Sequence, residues 1–288
     1  MLSNLFSAEV LQETIEIVKG QFALAFWETL YVTVAAMFFA VLLGLPLGVL
    51  LVVGEKNGLA PLPGWLMKTL NVIINLLRSV PFLILMILLF PLTRAIIGTA
   101  VGTLASIVPL TIAAFPFVAR LVESSLRELN PNIIEMSRSM GASLLQTIVK
   151  VMIPEAIPSL ISNATIAITT ILGYTAMSGI IGGGGLGKIA INYGYYRYKY
   201  LVMLLAVILL IVIVQVFQSV GTHLAVRLDK RLKQNHWFSL LLSSYKNGSA
   251  TVMRLLSRFT LFFWVLRKWQ MPYPGFFRNA PQSLQTTP

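Results

Sequence analysis

The chain contains no cysteine, and charged residues make up only 11% of its 288 positions. The absence of cysteine excludes disulfide frameworks, thiol nucleophiles and cysteine-ligated metals, although it leaves the redox compartment open. Because hydrophobic residues account for 57% of the sequence, the few charged side chains cannot cover a globular surface of this size. The composition therefore predicts a chain that is embedded in a lipid bilayer.

Histidines and acids are also scarce. The two histidines, His223 and His236, have no partners at metal-ligand spacing, and no acid lies between Glu155 and Asp229. No Ser/His/Asp set or carboxylate pair stands out elsewhere in the sequence. We therefore expect no metal site and no bond-making chemistry, so the chain is not predicted to be an enzyme.

The formal net charge of +12 belongs mainly to the C-terminal region. From Arg227 onward there are ten basic residues and a single acid, Asp229. A net charge of +12 could suggest a nucleic-acid partner, but this charge is a property of the tail and does not form a patch on a folded domain. No nucleic-acid partner is predicted.

Long apolar runs are what the sequence does contain. A membrane-spanning helix needs about 20 mainly apolar residues. Residues 69–90 form one candidate, although Arg78 interrupts it near one end, where it can snorkel or face a protein or water-filled interior. The sequence thus predicts an all-α polytopic membrane protein with five transmembrane helices. The other four candidates are charge-free runs over residues 29–53, 95–119, 156–187 and 200–226.

The distribution of lysine and arginine predicts the orientation of these spans. Five spans place the termini on opposite sides, and the side richer in basic residues is cytoplasmic. One side receives ten basic residues and the other receives five, so we expect the N-terminus outside and the C-terminus inside. The ten are Lys56, Lys68, Arg120, Arg127, Arg138, Lys150, Arg227, Lys230, Arg231 and Lys233.

Three regions follow from this topology. Residues 1–21 form an extracytoplasmic N-terminal segment that lacks the basic start of a cleavable signal peptide. Residues 22–233 form the five-span domain. Residues 234–288 form a basic, aromatic extension of undetermined role, which either rests on anionic lipid or is a poorly ordered tail.

The longest predicted cytoplasmic connection covers residues 120–155. Its apolar residues recur at spacings of three and four, and Gly141 interrupts them, which predicts two short helices joined by a bend. An apolar helical face outside the bilayer needs a partner surface. The alternative is an ordinary amphipathic helix lying in the lipid interface.

This connection resembles the cytoplasmic signature of binding-protein-dependent ABC importer permeases, E-A-A-x3-G-x9-I-x-L-P. Glu135, Gly141 and Pro154 fall at the family's spacing, and Val151 and Ile153 occupy its two aliphatic positions. Met136 and Ser137 stand where the family usually has two alanines. Two further stretches, "RSVPFLILMILL" and "GGGGLGKIAINYGYYRY", look like those of methionine importer permeases, and the resemblance covers residues 22–233.

The resemblance implies that this loop couples the permease to an ATPase, with Pro154 ending its second helix. It also implies a bacterial inner-membrane complex containing a second copy of the permease, two ATP-binding subunits and an extracytoplasmic binding protein that delivers methionine. ATP and magnesium would bind to the ATPase partner, and this chain would bind no cofactor. Two alternatives stay open, namely an importer permease for another small solute, such as a different amino acid or a phosphonate, and a secondary transporter.

Polar residues within the spans are candidates for lining a translocation path, because polar atoms facing lipid are costly. Asn71, Asn75 and Arg78 share one face of the second predicted span. Their alternative role is packing between helices, or snorkelling in the case of Arg78. The fourth predicted span contributes Asn163, Tyr174, Met177 and Ser178.

The glycine cluster at the end of the fourth predicted span matches G-x-G-x-x-G, the fingerprint of a dinucleotide-binding turn. That fingerprint requires a preceding strand and an acid about 20 residues later, and this sequence has neither. We interpret the cluster as a periplasmic gate or docking loop in which glycines permit a tight turn and close backbone approach. Its members are Gly182, Gly183, Gly184, Gly185 and Gly187.

Overall fold

The computed structural model describes residues 8–229, and within them every regular element is helical. The predicted extension over residues 234–288 and the first seven residues lie outside this range. The elements are α1 (Ala8–Val53), α2 (Gly64–Ser79), α3 (Phe82–Leu88), α4 (Phe90–Ile97), α5 (Ile107–Arg127), α6 (Pro131–Ser139), α7 (Leu144–Ile181), α8 (Gly185–Ile189) and α9 (Tyr200–Leu228). Single π-helical turns lie within α1 at Val18–Phe22, within α7 at Thr147–Met152, and after α8 at Ala190–Tyr195.

Four of the described helices, α1, α5, α7 and α9, are long and apolar enough to cross a membrane. Helices α2 and α3, which are bent by 105° relative to each other, are a fifth candidate span when the bent pair is counted as one. The all-α polytopic fold is thereby confirmed, whereas the orientation of its termini stays a prediction. The predicted span over residues 69–90 corresponds to this bent pair, which is broken because Val80 is extended before Pro81, a residue that disfavours helical backbone at the preceding position.

The predicted span over residues 95–119 is wrong in its position. Helix α4 ends at Gly98, whose φ of 87° is left-handed, and Gly102 has a φ of 119°. The spanning helix α5 begins only at Ile107 and continues past the apolar run to Arg127. Helix α1 likewise begins well before residue 29, so residues 8–21 are helical and continuous with the first span.

Helices α1 and α5 lie parallel, running in the same direction. The Thr103 hydroxyl, just before α5, donates to Glu28 at 3.0 Å, while Arg127 at the other end of α5 pairs with Glu55 at 2.9 Å. Glu28 and Glu55 are about 40 Å apart along a helix that rises 1.5 Å per residue. The chain between Glu55 and Thr103 therefore travels from one end of the bundle to the other, which requires α2–α4 to make a crossing.

Small residues bring α1 and α5 into close contact. Ala36, Ala40, Gly44 and Gly48 are buried at four-residue spacing, so they form one stripe along α1. A Cβ atom at Gly48 would lie 2.6 Å from the Ala119 carbonyl oxygen, and one at Gly44 would lie 2.9 Å from the carbonyl oxygen of residue 115. Such stripes let helix backbones approach closely in a membrane, where dispersion contacts drive association.

Two apolar clusters fill the bundle. The larger one packs α1, α5 and α7 around buried side chains such as Leu110, Met152 and Ile171. The smaller one packs the start of α1 against the end of α7, α8 and α9. Its buried members are Phe22, Ala25, Leu172, Leu186, Ile189, Val202, Ala206 and Ile213.

We predict that Gly48→Ala lowers the melting temperature of the purified protein in detergent. The added methyl group meets the α5 backbone, and overpacking of this kind typically costs about 1–3 kcal/mol. Gly173→Ala is the matched control, since a Cβ atom at this helical glycine has no neighbour within 4 Å. Equal melting temperatures for the two variants would contradict the close packing of α1 on α5.

Candidate functional site

An exposed apolar surface is formed by α6 and the first turns of α7, and we call it the coupling surface. Asn130 caps α6 by accepting the N–H of Asn132 at 3.0 Å, and Pro131 occupies the first helical position. Gly141 then turns the chain with a φ of 81°, and no atom lies within 4 Å of a Cβ placed there. The exposed members of the coupling surface are Met136, Met140, Leu144, Leu145 and Val149.

The coupling surface is held firmly against the bundle. Ser137 is 2% exposed, and its hydroxyl lies 3.3 Å from that of buried Thr147 on α7. The Ala142 N–H also donates to the Ser137 carbonyl at 3.2 Å. Helix α6 is therefore bonded directly to α7, and the serine that stands where the signature has an alanine supplies this contact.

Three features of the predicted coupling loop differ from expectation. Residues 120–127 belong to α5, and residues 144–155 belong to α7, so only α6 is a separate short helix. Pro154 does not end a helix, because α7 runs continuously from Leu144 to Ile181. The π-helical turn before Pro154 leaves room for its ring, which lacks an N–H and would clash with regular backbone. Among the remaining signature positions, Glu135 is exposed and Val151 and Ile153 are half-buried.

A charged network lies at the same end of the bundle. Arg120 donates to Glu123 at 2.7 Å, and Arg127 bonds the other oxygen of Glu123 at 2.9 Å while pairing with Glu55. Glu123 is only 9% exposed, so these two guanidinium groups compensate its burial. The network ties α1 to α5 where both leave the apolar layer.

Two of the predicted path residues join this network. The Asn71 and Asn75 side-chain oxygens accept hydrogen bonds from Arg120 at 2.7 and 3.0 Å. Asn163 instead donates to the Leu121 carbonyl at 3.2 Å and to the Ser125 hydroxyl at 2.8 Å, joining α7 to α5. Sequence reasoning missed Arg120 as the partner of Asn71 and Asn75, because Arg120 lies at least 45 positions from each of them.

The other predicted path residues lie apart from this network. Arg78 lies 5.8 Å from the centre of the Phe117 ring. Tyr174 stacks on Phe82 with ring centres 4.5 Å apart, and Ser178 is fully buried. The remaining one, Met177, is 47% exposed. The structure thus does not bring the seven predicted residues into one site.

The glycine loop, residues 182–187, is held at the opposite end of the bundle by Glu28. One carboxylate oxygen of Glu28 accepts the Gly185 N–H at 2.7 Å, and the other accepts the Thr103 hydroxyl. Thr29 accepts the Leu186 N–H at 2.9 Å. Glu28 was missed by sequence reasoning, although an acid directly before a charge-free run was an available signal.

The glycines allow this close approach. Gly182 and Gly185 have φ values of 84° and 83°, in the left-handed region that glycine tolerates best. A Cβ atom at Gly184 would lie 2.2 Å from the Thr103 hydroxyl oxygen, and one at Gly187 would lie 2.3 Å from the Ala176 carbonyl oxygen. The backbone of the loop packs directly against Thr103 and Ala176. This packing leaves no open space in which the loop could hold a phosphate.

Comparisons with known proteins agree on one family. Residues 44–233 match the model of the binding-protein-dependent transport system inner membrane component. The probable D-methionine transport system permease protein of Vibrio cholerae is 49% identical, covering 72% of this chain and 92% of the relative. The corresponding Pasteurella multocida protein is 44% identical, covering 71% of this chain and 94% of the relative.

A solved structure supports the same conclusion. A chain of the MetNI methionine ABC transporter, in an inward-facing conformation, is 42% identical to this protein with a TM-score of 0.72. The match covers 75% of this chain and 99% of that one. This protein is therefore a multi-pass membrane protein of the binding-protein-dependent transport system inner membrane component family.

Proposed function

We propose that the chain is the transmembrane permease subunit of an ATP-driven importer that translocates methionine. The observation that carries the proposal is its identity of 44–49% to two permeases named for D-methionine transport, over more than nine-tenths of their length. The MetNI methionine transporter chain supports the same substrate class at 42% identity. The substrate is a zwitterion with an apolar thioether side chain, which suits a path with few charged groups.

The working complex contains a second copy of this permease, a pair of ATP-binding subunits and an extracytoplasmic binding protein that delivers the substrate. ATP and magnesium bind to the ATP-binding subunits and not to this chain. The complex lies in the bacterial inner membrane. The excess of basic residues at the α6 end of the bundle supports placing that end in the cytoplasm and the glycine loop outside.

Coupling runs through the coupling surface. Its exposed apolar side chains supply a contact for a groove on the ATP-binding subunit, in the way that amphipathic helices bind grooves. When α6 is displaced, the contact between Ser137 and Thr147 transmits that displacement to α7. Asn163 then links α7 to α5, so that both spanning helices shift as a unit.

The glycine loop serves as the extracytoplasmic gate or docking element. Its backbone bonds to Glu28 and Thr29 support this role, because they make its position depend on α1. The translocation path follows the polar side chains of α2 and α7. The residues proposed to line it are Asn71, Asn75, Arg78, Asn163, Tyr174, Met177 and Ser178.

Uptake of labelled methionine tests the proposed function. Membrane vesicles containing this chain, its ATP-binding subunit and the binding protein should accumulate methionine only when ATP is hydrolysed. Uptake that persists without hydrolysis would refute the importer mechanism. ATP-dependent uptake of another solute, unaffected by excess methionine, would refute only the substrate.

Leu145→Glu tests the coupling surface. Leu145 is 72% exposed, and a carboxylate at the centre of an apolar contact should weaken binding to the ATP-binding subunit by tenfold or more, since burying an unpaired charge is costly. Co-purification of the two subunits measures the loss. Asn57→Glu is the control, because it adds the same charge to an exposed loop at the same end. Equal retention by both variants would contradict docking at α6 and α7.

Gly141→Pro tests the rigidity of the turn. Proline holds φ near about −65° and cannot adopt the φ of 81° found here, so α6 should be misplaced relative to α7. We expect ATP hydrolysis to continue while methionine uptake falls sharply. Gly141→Asn is the control, because asparagine tolerates left-handed backbone and should retain most uptake. Normal coupling in the proline variant would argue against this role for the turn.

A further inference from the structure

A polar pocket of about 730 Å³ lies at the α6 end of the bundle, apart from the coupling surface. It is enclosed by the end of α1, the connection that follows it, the first turns of α2 and the last turns of α5. Asn71 at its edge is proposed above to line the translocation path, and no ligand has been proposed for the other residues of the pocket. Its lining residues are Leu51, Glu55, Lys56, Pro61, Leu62, Gly64, Met67, Lys68, Asn71, Arg120, Glu123 and Arg127.

The pocket carries an excess of positive charge. Four basic side chains line it against two carboxylates, and Arg120 and Arg127 already pair with those carboxylates. The side chains of Lys56 and Lys68 have no hydrogen-bond or ion-pair partner within residues 8–229. Two ammonium groups are therefore available for an anion that enters the pocket.

The position of the pocket matches the boundary between hydrocarbon and water. The apolar run of α1 ends at Val53, and α2 begins again at Gly64, so the pocket opens between them. Trp65, beside it, is 70% exposed, and tryptophan is enriched where a membrane meets water. The first turn of α2 also presents the positive end of a helix dipole.

We propose that this pocket binds the phosphodiester headgroup of an anionic phospholipid, with Lys56 and Lys68 contacting the phosphate. Basic pockets between transmembrane helices bind such headgroups through charge and hydrogen bonding. Free phosphate offers the same chemistry, but a pocket of this volume at a membrane boundary is large enough for a glycerol phosphate head with its acyl chains in the bilayer. Lipid binding is independent of transport, so it holds whether or not the chain carries methionine.

The test measures lipid binding by the purified full-length chain in a neutral detergent. Fluorescent phosphatidylglycerol is titrated against the native protein and against Lys56→Gln/Lys68→Gln, with phosphatidylcholine as the zwitterionic comparison. Lys19→Gln/Lys188→Gln is the matched control, because it removes two exposed lysines whose side chains likewise have no partner within residues 8–229. All three proteins share the same basic C-terminal region, so its contribution to lipid binding cancels.

We expect Lys56→Gln/Lys68→Gln to weaken phosphatidylglycerol binding roughly tenfold or more, since each basic residue near an anionic surface contributes substantially. The control double variant should bind as the native protein does. Equal affinities for the two lipids, equal losses in the two double variants, or no loss in either would overturn the proposal. Displacement of the lipid by millimolar inorganic phosphate would assign the pocket to a free anion and overturn the lipid assignment.

Discussion

The close packing of α1 against α5 is the contact on which the other elements depend. Gly44 and Gly48 let the two backbones meet, and ion pairs at Arg127 fix their register. Helix α7 packs on the same pair, so its two ends are placed by this contact as well. The positions of the coupling surface and the glycine loop, at opposite ends of the bundle, are set by one helix interface.

Hydrogen-bonded carboxylates lie near both ends of this interface. Glu28 is bonded on both oxygens at one end, and Glu123 is bonded on both oxygens at the other. Paired and hydrogen-bonded charges are tolerated in a membrane protein because their desolvation is compensated. The region between these two ends is mostly apolar, and its buried side chains join α1, α5 and α7 in one cluster.

Hydropathy predicted the existence of the spans well and their limits poorly. It averages over side chains and cannot detect that Arg120, Glu123 and Arg127 neutralise one another, which is why α5 extends beyond its apolar run. The bend at Val80 and the left-handed turn at Gly98 are backbone effects, and the sequence signals them by a proline at position 81 and a glycine at position 98. The bond from Gly185 to Glu28 spans 157 positions, and an acid before a charge-free run does not reveal so distant a partner.

The sequence separation of α1 and α5 also has a consequence for biosynthesis. Residues 8–53 leave the ribosome well before residues 107–127. The glycine stripe of α1 therefore enters the membrane before α5, the helix against which it packs. Until α5 arrives, Glu28 and Glu55 lack their partners from that region. A ribosome paused between these two segments would hold an insertion intermediate in which both carboxylates lack the partners they have in the folded bundle.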